Sequence, residues 1–95
     1  ALTPILGILS EHRQDLENRG VSKIAVFGSF ARGEAGPESD IDILVEFSRP
    51  VGLFEFIRLN HDLETILGRS VDLATPDSLK SRFRDRILRE AVGAA

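Results

Sequence analysis

Two acids and a glycine-serine pair stand at a spacing that could do phosphate chemistry. Gly28-Ser29-Phe30-Ala31-Arg32-Gly33 is followed, with ten residues between Ser29 and the first acid, by Asp40-Ile41-Asp42. Glycines in a turn let an anion approach main-chain amides. Acids two apart on an extended segment point to one side, about 7 Å apart along it, and can lean onto shared cations. Magnesium takes both carboxylate and phosphate oxygens. Gly28 and Gly33 have the separation of a Walker A loop, yet Glu34 and Ala35 stand where that loop needs Lys and Ser or Thr, and a carboxylate repels the phosphate such a lysine holds. The dinucleotide fingerprint fails as well, because position 30 is Phe and not Gly.

What remains suits magnesium-dependent nucleotidyl transfer, in which ions polarise the α-phosphorus, neutralise the departing pyrophosphate and acidify the attacking hydroxyl. Asp72 is the candidate third carboxylate: in Val71-Asp72-Leu73 the acid points opposite to its apolar neighbours, and an adjacent strand would bring it beside Asp40 and Asp42. There it would bind the metal nearest the acceptor hydroxyl and help to receive its proton. The competing readings are structural. An isolated Asp-x-Asp is more often a solvated strand edge, and Gly28-Ser29 at this distance is what reverses the odds. Asp72 beside Arg69 could equally form a surface ion pair. Arg32 either binds phosphate or offsets the acids around it, and Ser39 suits hydrogen bonding in the turn.

The elements that must position these residues follow from punctuation and periodicity. Thr3-Pro4 is a cap followed by proline at the first helical turn, and Ile5, Ile8, Leu9, His12 and Leu16 continue at helical spacing toward Gly20. Lys23 to Phe27 reads as a short buried strand stopping at Gly28, Ser29 to Arg32 as a helical turn, and Gly33 to Ser39 as a loop. Asp40 to Phe47 is a second strand and Val71 to Ala74 a third. Between them Leu53, Phe56, Ile57, Leu63 and Leu67 trace a helix that Gly68 can end. Phe54, Leu59 and Ile66 widen its apolar stripe so far that it must be packed on two sides or covered by a partner chain; exposure of Phe54 and Leu59 would indicate the partner. Thr75-Pro76 repeats the cap signal, and a last helix is expected from about Asp77 to Val92 with Leu79, Phe83, Ile87 and Leu88 inward. The alternation implies a small α/β sheet with helices packed against it.

Length and composition are consistent with this scale. Residues 1–95 can bury one modest core, so a single domain is expected. Cysteine is absent, which removes disulfides and thiolate metal sites, and His12 and His61 lie too far from any matching ligand spacing to suggest zinc. No apolar run reaches the length of a membrane span, so a cytoplasmic location is expected. The net charge of −3 gives no support to a nucleic-acid partner without excluding one, and it conceals an uneven distribution. Five acids and no base lie between Glu34 and Glu46, whereas Lys80 to Glu90 holds five bases against two acids. Arg82, Arg84, Arg86 and Arg89 could face a nucleic acid or a partner protein, although a charge-rich terminal helix is usually a solvated face.

With Gly28, Ser29, Asp40 and Asp42 in this arrangement, within GSFARGEAGPESDIDILVEF, and with Asp72 on a later strand, the chain resembles the nucleotidyltransferase superfamily that includes DNA polymerase β, and in particular its minimal members, the MNT proteins. The likeness runs over essentially the whole chain. It implies the nucleotidyltransferase fold, a mixed sheet of α+β type bearing the metal site. It also places Gly28 and Ser29 at the triphosphate, with Arg32 near the phosphates or the base. It further implies ATP and Mg2+ as substrate and cofactor, and a HEPN-domain toxin as partner, onto which AMP is transferred in an antitoxin role. The catalytic unit consumes these residues and leaves no second domain to select a small acceptor, so the acceptor is expected to be the partner protein itself. An antibiotic-modifying transferase would need additional chain for a drug pocket. A binding module that neutralises the toxin by contact alone is the alternative, and the intact carboxylates argue against it. The terminal Ala91-Val92-Gly93-Ala94-Ala95 lacks the aromatic residue that such chains often carry.

Overall fold

A computed structural model describes residues 2–94. Helix α1 spans Leu2–Glu11 and α2 spans Arg13–Asn18, where the sequence predicts one helix toward Gly20. His12 causes the interruption: its Nδ1 donates to the Ile8 carbonyl at 2.9 Å, and its backbone, at φ −98° and ψ 12°, leaves the helical basin. Strand β1, Val21–Phe27, then pairs antiparallel with β2, Ile41–Phe47, and β2 pairs in parallel with β3, Val71–Ala74. A parallel pair needs a crossover, which α4, Leu53–Leu67, supplies. The helical turn expected after β1 is α3, Gly28–Arg32. A two-residue strand β4, Val92–Gly93, joins the free edge of β1, giving the order β3-β2-β1-β4. The expected small mixed sheet with packed helices is what forms.

Alternation along the strands separates the two faces. Ile41, Ile43 and Val45 of β2 and Ile24 and Val26 of β1 are buried in one cluster with Ile5 and Leu9 of α1, Leu16 of α2, and Leu59 and Leu63 of α4. The pleat therefore turns Asp42, between Ile41 and Ile43, to the opposite face. Helix α4 divides the expectation made of it. Leu59 is only 3% exposed and belongs to the core, whereas Phe54 is 84% exposed beside Leu53 and Ile57 at the start of the helix. Among the described residues no helix is long and apolar enough to cross a membrane.

The last helix departs from its predicted form. A 3₁₀ turn, Pro76–Ser78, follows the Thr75 cap, and helix α5 runs only from Ser81 to Glu90. The Ser78 hydroxyl accepts from the Thr75 N–H at 3.1 Å and donates to the Thr75 carbonyl at 2.8 Å, closing the first turn on itself. Leu79 and Lys80 are then extended. None of the residues of α5 is buried: Phe83 and Leu88, expected inward, are 38% and 43% exposed. Phe83 instead lies between the guanidinium groups of Arg82 and Arg86, 4.7 and 5.8 Å from its ring centre, a cation-π arrangement at the surface.

Candidate active site

The site begins where β1 ends. The chain turns at Gly28 with φ of 71°, a left-handed conformation that a side chain disfavours. A Cβ built there would overlap Oδ2 of Asp42 and lie 3.0 Å from its Cγ. Only hydrogen at that position leaves the carboxylate its place. Register supplies the second carboxylate: Asp42 is the partner of Phe27 on one side and of Asp72 on the other. Asp42 and Asp72 therefore occupy one row of the sheet on the face away from the main core. Asp40 lies just before β2, exposed, two residues from Asp42 and not within the strand as predicted. Ser29 is in the first turn of α3 and half-buried.

Arg69, considered from the sequence as an ion-pair partner for Asp72, turns instead to the loop preceding β2. Its Nη2 donates to the carbonyls of Gly36, Pro37 and Ser39 at 2.9, 2.8 and 3.0 Å. Its guanidinium lies 5.0 Å over the ring of Phe30. One side chain at the foot of β3 thus ties together α3, the loop leading to Asp40, and the strand bearing Asp72. The Ser39 hydroxyl accepts from the Gly36 N–H at 2.9 Å, the turn role its position suggested.

Arg32 projects from the end of α3. Its Nε donates to Oε1 of Glu34 at 2.9 Å and its Nη1 to Oε1 of Glu90 at 3.2 Å. The same Glu90 oxygen accepts the Gly28 N–H at 2.9 Å. Glu90 is the residue that sequence reasoning missed. A signal for it existed: it ends α5, where the helix dipole disfavours an acid, so a carboxylate there needs donors from elsewhere.

Partial burial raises the Asp42 carboxyl above its ordinary range, Asp72 and Asp40 add to the rise, and Arg32 opposes it. The row is thus short of positive charge. Among the described residues no three His, Asp or Glu side chains are already drawn together as a complete metal-ligand set. Magnesium seldom asks for one, since it commonly keeps waters and uses one or two carboxylates together with substrate phosphates. Asp42 and Asp72, hard oxygen donors in register beside a cradle that a Cβ would fill, fit that requirement. A hollow of about 580 Å³ is bordered by Phe30, Arg32, Gly36 and Arg69, while Gly28, Ser29, Asp42 and Asp72 lie outside its lining.

The family model for the nucleotidyltransferase domain matches residues 9–93, and all of these site residues fall inside it. The chain belongs to the nucleotidyltransferase domain family. This nucleotidyltransferase is 48% identical over 92 residues to a Thermococcus cleftensis protein named protein adenylyltransferase MntA, covering 96% of this chain and 93% of that one. It superimposes with a TM-score of 0.83 and 36% identity on a solved structure provisionally assigned as a minimal nucleotidyltransferase, over 97% of this chain and 94% of the other. At 18% identity and a TM-score of 0.69 it shares its fold with a chain of a complex described as a tri-AMPylated Shewanella oneidensis HEPN toxin with an MNT antitoxin, covering 100% of this chain and 72% of that one.

Proposed function

We propose that residues 1–95 form a single minimal nucleotidyltransferase domain that transfers AMP from ATP, with Mg2+, to a hydroxyl on a HEPN-domain toxin, and thereby acts as its antitoxin in the cytoplasm. The observation that carries this reading is the seat of Asp42: its carboxylate fills the space opposite Gly28 and shares a row with Asp72. Asp40 and Asp42 would hold both ions and Asp72 one of them, while Gly28 and Ser29 receive the triphosphate and Arg32 assists. When bound, magnesium supplies charge neutralisation at the phosphates and acidification of the attacking hydroxyl. The protein's own part is to orient. Gly28 brings main-chain N–H groups to the anion, the β2–β3 pairing fixes the carboxylates, and Asp72 takes the acceptor proton. The adenylyltransferase name of the Thermococcus relative supports AMP as the group moved. The fold shared with the antitoxin side of a HEPN complex supports the partner.

Neutralisation by contact alone is the second reading, favoured by the exposed Leu53, Phe54 and Ile57. An Asp42→Asn variant separates the two in a growth-rescue assay against a HEPN-domain toxin. Loss of rescue with binding retained supports catalysis, and full rescue by the variant would establish the contact mechanism.

A further inference from the structure

Glu90 contacts residues distant in the chain, and both of its donors belong to the proposed triphosphate seat. Its Oε1 accepts from the Gly28 N–H at 2.9 Å and from Arg32 Nη1 at 3.2 Å, and its Oε2 lies 3.4 Å from the same Nη1. The Glu90 side chain is 19% exposed, so these charge-assisted bonds are partly withdrawn from water, where they are stronger. A carboxylate bridging a turn amide and a guanidinium makes the contacts that two phosphate oxygens would make.

We propose that Glu90 is a positioning residue that stands in for a phosphate group in the free protein, holding the Gly28 amide and the Arg32 guanidinium for a triphosphate that then takes both donors from it. The inference rests on the reading of Gly28 and Arg32 as triphosphate ligands. Binding is in this account an exchange of one anion for another. The incoming anion carries more charge and more acceptor oxygens. The outgoing one can rotate toward solvent, to which the Glu90 side chain is already 19% exposed.

Titration of wild type, Glu90→Gln and Glu90→Ala with ATP and magnesium, without acceptor, by calorimetry tests the exchange. Removing the competitor should tighten ATP binding about 10–150-fold in Glu90→Ala, the factor expected for a lost charged hydrogen bond. The isosteric Glu90→Gln, which keeps the fold's contacts but loses the charge, should fall between. A residue that merely ties α5 to α3 would leave affinity unchanged or lower when removed, so tightening distinguishes the two roles. Unchanged or weaker binding by Glu90→Gln, with wild type binding ATP normally, overturns the exchange and leaves the nucleotide reading intact. Failure of wild type itself to bind ATP would defeat that reading, and this inference with it.

Discussion

Asp42 and Asp72 face each other across the parallel β2–β3 pair, two acids in one row without a basic residue between them. Like charges directly opposite in a sheet are destabilising, and the burial that raises Asp42 adds to the cost. In the absence of divalent cation, Asp42→Asn should therefore raise the melting temperature by a few degrees while reducing transfer on the order of 10²–10³-fold. Thermal melts in chelator, paired with an AMP-transfer assay, check both halves.

The pH dependence has a defined sign. A carboxyl raised in the folded state favours the fold below its ordinary value and loses that contribution as pH climbs through the raised one. Wild type in chelator should thus lose stability from the ordinary carboxylate range upward, in excess of Asp42→Asn. Magnesium should reduce the difference. Activity should fall on the acid side as the proton competes with the cation at Asp42, and a pH series of melts with and without magnesium would reveal the window.

Gly28→Ala combines two faults, a positive φ and a Cβ in the space held by the Asp42 carboxylate. The backbone penalty is about 1–3 kcal/mol. Because the carboxylate can rotate away, the larger effect should fall on chemistry, on the order of 10²-fold for a displacement of this kind. Denaturant titration and initial rates measured on the same preparation compare the two losses.

Arg69→Ala removes the donor shared by Gly36, Pro37 and Ser39 and the stack on Phe30. A stability loss of about 1.5–3 kcal/mol is expected, as for hydrogen bonds to a charged group. Lysine lacks the planar fork, so Arg69→Lys should recover less than half of it. Transfer should decline in both even at saturating ATP, because the loop that delivers Asp40 is no longer held.

Local chemistry made the site legible and long-range packing hid the rest. Gly28-Ser29 and Asp40-Ile41-Asp42 are encoded within one strand-turn-strand stretch, so type and spacing suffice to associate them. Asp72 could be proposed because a lone acid between Val71 and Leu73 is conspicuous on a strand, although its register opposite Asp42 appears only in the sheet. Glu90 meets Gly28 across a separation of 62 residues, and periodicity says nothing about such contacts. Sequence proximity leaves an Arg69–Asp72 ion pair open as an alternative, whereas the Arg69 side chain crosses to carbonyls 30 to 33 residues earlier. The overlong last helix followed from apolar spacing alone, which does not register that the Ser78 hydroxyl can close the turn. Strand β4, at two residues, is shorter than any alternating pattern can reveal.

The most direct test is the mass of a HEPN-domain toxin, the proposed acceptor, after incubation with this chain, ATP and magnesium. A gain equal to one or more AMP units, lost with chelator and with Asp42→Asn, is the predicted result. No gain, or a gain of phosphate alone, would contradict nucleotidyl transfer by the Asp42–Asp72 row.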